Sequence, residues 1–261
     1  MLKFHLFSPR QWGFYFLLAF PFLISATVHT PIQAIGDDTP EEWLKKIRQI
    51  RVTSSDSALY LYQSSFDHYI EQKDTLSAVN TLVEMSITYG HTAQYQSAYD
   101  NLWQALLLAA LANNDKAKVR VYTQLGRYYS FYKREQKAIS YLNQALELGK
   151  VLKRQGRFSK ADLGLCYYAL CSTYRELNDY SRAKIYLDSC YQYYDEAGQH
   201  ETKYYLAYEK ANLQRAEGNH QDALQTFRDI QPWFTQNSPG FGVLLFTAKG
   251  DVYRSLNDQT K

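Results

Sequence analysis

One phrase recurs along this chain at a near-constant interval, and it leaves little choice of fold. The first copy reads Leu82-xx-Met85-Ser86-xx-Tyr89, then Ala98-xxx-Leu102-xx-Ala105. The second reads Tyr122-xx-Leu125-Gly126-xx-Tyr129, then Ala138-xxx-Leu142-xx-Ala145. The third reads Tyr167-xx-Leu170-Cys171-xx-Tyr174, then Ala183-xxx-Leu187-xx-Cys190. In all three the tyrosine precedes the alanine by nine residues. Self-similarity at such a period marks stacked supersecondary units, none of which buries its apolar face alone. No proline falls between residues 41 and 231, and apolar residues there recur at three- and four-residue spacing. That is continuous helix, with no alternating strand pattern.

The phrase has a packing reason. Small residues stand where two helix backbones touch: Ser86, Gly126 and Cys171 on the first helix of each copy, facing Ala98, Ala138 and Ala183 on the second. Ala105, Ala145 and Cys190 are the next small places, and Tyr89, Tyr129 and Tyr174 fill the space between. A fourth copy keeps Ala223, Phe227 and Ile230 but has Gln214 for the tyrosine and Lys210 for the leucine. An earlier half copy has Ala58, Tyr62 and Ser65 after a helix around Trp43, Leu44, Ile47 and Ile50. The marker alanines stand 40, 40, 45 and 40 residues apart, with the extra five expected in residues 154–160. At the other end, Phe246, Gly250 and Tyr253 open a fifth copy, whose marker alanine would fall at 262.

The phrase resembles the tetratricopeptide repeat, W-xx-LG-xx-Y followed by A-xxx-F-xx-A. Its period is longer than the usual 34 residues, similar to the extended repeats of kinesin light chain. The resemblance implies an all-α, right-handed superhelical solenoid of antiparallel helix pairs. It divides the chain into a cap over 41–75, repeats over about 79–114, 119–153, 164–198 and 204–237, and a truncated repeat over 243–261.

Residues 1–36 are different. Lys3 and Arg10 precede the uncharged run 12–28, and the first acid is Asp37. This is the pattern of a signal peptide or an N-terminal membrane anchor. The run is about 17 residues, the lower edge for a span, and Pro21 interrupts it. The positive end then places everything after residue 36 outside the cytoplasm, periplasmic or anchored facing the periplasm.

Charge excludes one class of partner. The formal charge is +3, of which Lys3 and Arg10 supply two, so the body gives no electrostatic case for nucleic acid. Catalytic motifs are absent: no HExxH, no GxSxG, no P-loop. No cofactor or metal site is expected, since Cys166, Cys171 and Cys190 lack metal spacing and the six histidines are scattered. Cys171 and Cys190 read as buried thiols in small-residue places, with a disulfide between them as the alternative.

In the tetratricopeptide family the first helices line a concave groove. Carried over by place, the groove positions are Arg120, Thr123 and Arg127 in the second copy. Tyr168, Ser172 and Arg175 follow in the third, then Tyr205, Tyr208, Asn212 and Arg215, and finally Arg254. Arg175, Arg215 and Arg254 hold one place in successive copies. Arginine grips carboxylates bidentately and tyrosine gives stiff contact area, so an extended peptide with acidic or C-terminal groups is the expected ligand. The competing reading is a solvated face tied by internal ion pairs, Arg175 with Glu176 or neighbouring acids. The carboxylate clamp of chaperone-binding members does not match, because Tyr168 and Tyr208 replace its lysines and only Asn212 fits.

The resemblance extends to the extracytoplasmic sensor region of bacteroidete-type transmembrane regulators, where repeats precede a membrane helix and an effector domain. The expectation is a non-enzymatic protein- or peptide-binding module, with membrane contact only through residues 1–36 or a span beyond residue 261. A secreted scaffold of repeats and the non-catalytic part of a longer enzyme are the alternatives.

Overall fold

The computed structural model describes residues 38–198 and 201–259; the signal or anchor expected over 1–36 lies outside them. Among the described residues every regular element is an α-helix. The first helices of successive pairs are α1 (Pro40–Thr53), α3 (Thr75–His91), α5 (Asp115–Phe131), α7 (Lys160–Glu176), α9 (Thr202–Ala216) and α11 (Pro239–Gln259). The second helices are α2 (Ser55–Glu71), α4 (Tyr95–Leu111), α6 (Glu135–Arg154), α8 (Tyr180–Glu196) and α10 (His220–Asn237).

Local chemistry sets these boundaries. Thr39 with Glu42 and Ser159 with Asp162 form reciprocal capping boxes at the starts of α1 and α7. Asp74, Asn114 and Asp179 cap α3, α5 and α8 through their side chains. Most ends carry one residue in the left-handed region: Lys73, Ala93, Asn113, Lys133 and Asn178, and the glycines 156, 198 and 218. At Lys73 the next amide, Asp74 N–H, bonds back to the Tyr69 carbonyl at 2.9 Å, the Schellman pattern that satisfies a terminal acceptor. The same five-residue bond recurs from Gln94, Asn114, Arg134, Arg157, Asp179 and Asn219. Identical turns give identical helix-pair geometry, so the pairs stack in register.

The repeat places are the contact points. Ala58, Ala98, Ala138, Ala183 and Ala223 are buried, as are Ala105, Ala145, Cys171 and Cys190. Ser86 is buried with its hydroxyl donating to the Val83 carbonyl at 2.7 Å, while Tyr89 is half-buried. Tyr129 and Tyr174 stack on second-helix tyrosines Tyr141 and Tyr186, at 5.6 and 5.4 Å between ring centres. Neighbouring first helices touch one another, whereas second helices pack mainly against first helices. The first helices therefore form one continuous inner wall.

The repeat departs from its sequence outline in three places. The expected N-terminal cap is a complete helix pair, held where the Trp43 indole N–H donates to Ser65 Oγ at 2.7 Å. The five extra residues before Ala183 are shared: α6 runs to 20 residues where α4 has 17, and the connection to α7 takes two more than the usual three. In the weak fourth copy, Gln214 is tied to its second helix by a hydrogen bond from Thr226 Oγ1 at 3.0 Å. Aromatic packing holds that pair instead, with Tyr204 stacked on Trp233 at 4.4 Å.

Candidate functional site

The inner wall encloses a groove of about 840 Å³ between α1, α3, α5, α7 and α9. At one side lies Glu84, on α3, its side chain 4% exposed. Three guanidinium groups converge on it: Arg48 Nη1 at 3.7 Å, Arg51 Nη1 at 3.2 Å and Arg120 Nη2 at 3.2 Å. A buried carboxylate is tolerated only with such partners. One carboxylate cannot neutralise three cations, and Glu41 takes a share of Arg48. Arg120 keeps its Nε buried with no hydrogen-bond partner. Lys116 lines the same side, its Nζ 3.8 Å from Asp162. Asp162 is already committed, accepting from Ser159 in the capping box of α7.

Across the groove stand Tyr168 on α7 and Tyr205 on α9. Burial, reinforced by the nearby Glu209 carboxylate, pushes the Tyr168 phenol well above its ordinary range. It is therefore a neutral hydroxyl. Tyr205 rests edge-on against Phe234 and Phe241, at 5.1 and 5.0 Å.

Of the groove residues expected from the sequence, Arg120, Thr123, Tyr168 and Tyr205 line this space. The others do not join them. Arg175 Nε donates to Glu209 Oε1 at 2.6 Å, and Glu209 is 3% exposed. The internal pair weighed in the sequence is thus present, with Glu209 of the next first helix as its acid instead of Glu176. Arg215 and Arg254 both reach Asp251, at 3.0 and 3.5 Å. Asn212 is buried and donates to the Tyr208 carbonyl, and Tyr208 packs on Phe241 at 4.8 Å. Arg127 is exposed on α5 and does not line the groove, although its charge acts on the Tyr168 phenol. Arg175 and Arg215 are each paired with an acid that the next first helix brings to their level, whereas Arg254 meets Asp251 of its own helix, three residues earlier.

Sequence reasoning missed Arg48, Lys116 and Glu84. A signal existed for the last. Glu84 is the only charge in Leu82-Val83-Glu84-Met85-Ser86, and a lone acid in an apolar run demands a cation from elsewhere. A second, aromatic cleft of about 630 Å³ also went unread, between α4 and α6 on the second-helix side. Tyr99, Trp103, Tyr129 and Tyr141 line it. Tyr99 and Tyr129 share a hydroxyl hydrogen bond at 3.3 Å, and Lys137 Nζ lies 5.3 Å from the Tyr129 ring centre.

The three cysteines are buried free thiols. Burial pushes Cys166 up to about 11 and the other two further still, so none is a ready nucleophile. Among the described residues no His/Cys/Asp/Glu group could hold a metal, and no helix is long and apolar enough to cross a membrane.

The buried phenols set an alkaline limit. Burial raises Tyr128, Tyr167 and Tyr191 to about 12, from an ordinary value near 10. Folding favours the neutral phenol. Its contribution is whole below about pH 10 and is lost as pH rises from there through about 12. We expect the part of the tyrosinate absorbance that belongs to these shielded phenols to appear only together with the loss of helical circular dichroism, after exposed tyrosines such as Tyr60 have contributed theirs. Smooth titration of all tyrosines near pH 10, with the helices intact, would contradict the burial.

Helix pairs in register, small residues at their crossings and a first-helix inner wall define a tetratricopeptide-like repeat solenoid. Solved structures agree. The chain is similar to a Podosopora anserina protein described as kinesin light chain nearly identical TPR-like repeats: 14% identity, 77% of this chain and 99% of that one, TM-score 0.50. It is also similar to the apo form of RapI, at 12% identity over 87% of this chain and 89% of that one, TM-score 0.53. No protein-family model matches the chain, and no curated protein matches it.

Proposed function

We propose that this chain is a non-enzymatic protein-interaction module whose inner groove takes an extended peptide bearing acidic or C-terminal carboxylate groups. The observation that carries this reading is the surplus of guanidinium over carboxylate around Glu84, with Arg120 Nε still lacking a partner. Tyr168 and Tyr205 supply stiff contact area across the groove. The cations offered to a ligand are Arg120, Arg48 and Lys116. Arg175, Arg215 and Arg254 are already engaged with Glu209 and Asp251.

The test uses a fluorescent oligo-glutamate peptide with a free carboxy terminus. Arg120→Met keeps the aliphatic stem and removes the charge. It is expected to weaken binding about tenfold, the scale of one charge-assisted hydrogen bond. The melting midpoint should fall only slightly, since Arg48 and Arg51 still hold Glu84. No saturable binding to the parent chain, or equal affinity for both forms, would remove the acidic-peptide reading.

We further infer that the module works outside the cytoplasm as the sensory part of a membrane-bound signalling or transcription regulator. The support is the basic start and apolar run of residues 1–36. A reporter active only after export, fused behind residue 37, should be active. A cytoplasmic location would end this part of the reading while leaving the groove untouched.

A further inference from the structure

The second-helix side carries a feature that the repeat itself does not require. Second helices pack mainly against first helices, and between α4 and α6 this leaves the aromatic cleft of about 630 Å³. Its floor belongs to the repeat. Tyr141 stacks on Tyr129 with Lys137 over the Tyr129 ring, and the next pair has Tyr186 on Tyr174 with Arg182 over the Tyr174 ring. Its α4 wall does not belong to the repeat. Trp103 stands five places after the marker Ala98, where the other second helices have Gln63, Asn143, Asp188 and Arg228. The place of Tyr99, one after the marker, likewise holds no ring in any of them. Trp103 remains 41% exposed, with its ring 5.9 Å from that of Tyr99 at 71°. An indole left partly in water, at a place that is polar in every other copy, is unexplained by folding and marks a binding surface.

The opposite rim is polar without charge. There α6 presents Gln136, Ser140 and Gln144, all exposed. Among the described residues lining the cleft, Lys137 is the only Lys, Arg, Asp or Glu, and it stands 5.3 Å from the Tyr129 ring centre. Both rows step by four residues, about 6 Å along a helix. Rings on one wall and hydrogen-bonding groups on the other therefore recur together, which suits a chain of ring units.

We propose that this cleft binds a neutral glycan chain. The C–H face of a sugar ring is flat and slightly positive, so it lies on the negative face of an aromatic ring while both surfaces leave water. Sugar hydroxyls donate and accept, as do the Gln amides and the Ser140 hydroxyl across the cleft. The volume falls within the roughly 300–1,000 Å³ of small-ligand sites. A cationic ligand would find no carboxylate in the lining, and an anionic one only Lys137. A proline-rich segment also stacks on rings, but its carbonyls only accept and leave the amide oxygens of Gln136 and Gln144 unused. The cleft shares no lining residue with the Arg120 groove.

The probes are laminarihexaose, cellohexaose and mannohexaose, titrated calorimetrically into the full chain. At least one should bind saturably at one-to-one stoichiometry. Trp103→Asn installs the residue that the next pair carries at the same place, so the helical circular dichroism should be kept. Affinity for that sugar should fall at least tenfold, the scale of a lost aromatic contact. Gln144→Ala, an exposed change to a better helix former, should weaken it severalfold without lowering the melting midpoint. Oligo-glutamate binding reports on the groove independently, since neither change touches it. Absence of binding by all three sugars, or binding indifferent to Trp103→Asn, overturns the proposal. So does a decaproline peptide that binds through Trp103 while the sugars do not, since a polyproline segment would then be the occupant.

Discussion

Arg175→Glu is expected to melt the contact between α7 and α9, costing on the order of 3–5 kcal/mol. Its partner Glu209 is 3% exposed and rests on Arg175 Nε at 2.6 Å, with the arginine side chain itself only 20% exposed. Reversal puts a second carboxylate against a buried one. Neither can reach water without opening the stack, and the repulsion acts in a region of low dielectric. Arg175→Met should be costly too, because it strands Glu209 as an uncompensated buried charge. The double change Arg175→Met with Glu209→Leu should recover most of the loss, since an apolar pair of similar size often matches a buried ion pair. Urea unfolding of the four forms gives the coupling energy directly. Single changes within about 0.5 kcal/mol of the parent, a surface-like effect, would mean that the pair carries no structural weight. Ranked by alignment alone, Arg175 is a peptide-binding residue; by its contacts it is a folding residue, and a binding assay on Arg175→Glu would report unfolding.

Gly126→Leu should cost about 3 kcal/mol or more, through overpacking that the crossing of α5 and α6 cannot absorb. Even a Cβ would stand 2.4 Å from Leu142 Cγ, 2.6 Å from Leu142 Cδ2 and 3.1 Å from the Ala138 carbonyl oxygen. Leu142 is fully buried, so it has nowhere to rotate, and the carbonyl belongs to the α6 backbone. Helix propensity runs the other way, since leucine is a better helix former than glycine by somewhat under 1 kcal/mol. A net destabilisation would therefore show that packing wins. Gly250→Leu is the matched control at the same repeat place, where nothing lies within 4 Å. The two substitutions should move the melting midpoint in opposite directions, or at least leave Gly250→Leu neutral. Equal effects would sink the claim that these two glycines occupy one repeat place, closed at α5 and open at α11.

The same comparison marks how much of the molecule was legible beforehand. Ala98, Ala138 and Ala183 announce the crossings because two helix backbones close together exclude anything larger, whatever surrounds them. A nine-residue gap between Tyr129 and Ala138 is enough to place a turn, and that turn closes through bonds among its own neighbours. The candidate site is a different matter. Arg120, Tyr168 and Tyr205 could be placed on the inner wall by their repeat position, while Arg48 and Lys116 could not be told from ordinary surface charges.

Helix pairs and their register were thus determined by the sequence alone, since small residues, caps and turns act over a few positions. Only the tertiary structure decided which charges meet. Arg175 finds Glu209 and Arg120 finds Glu84 across 34 and 36 positions, on first helices of neighbouring pairs. Those meetings depend on how far each pair is rotated on the last, a quantity that no local spacing encodes. For that reason the stack, and not the repeat, selects which arginines are left for a ligand.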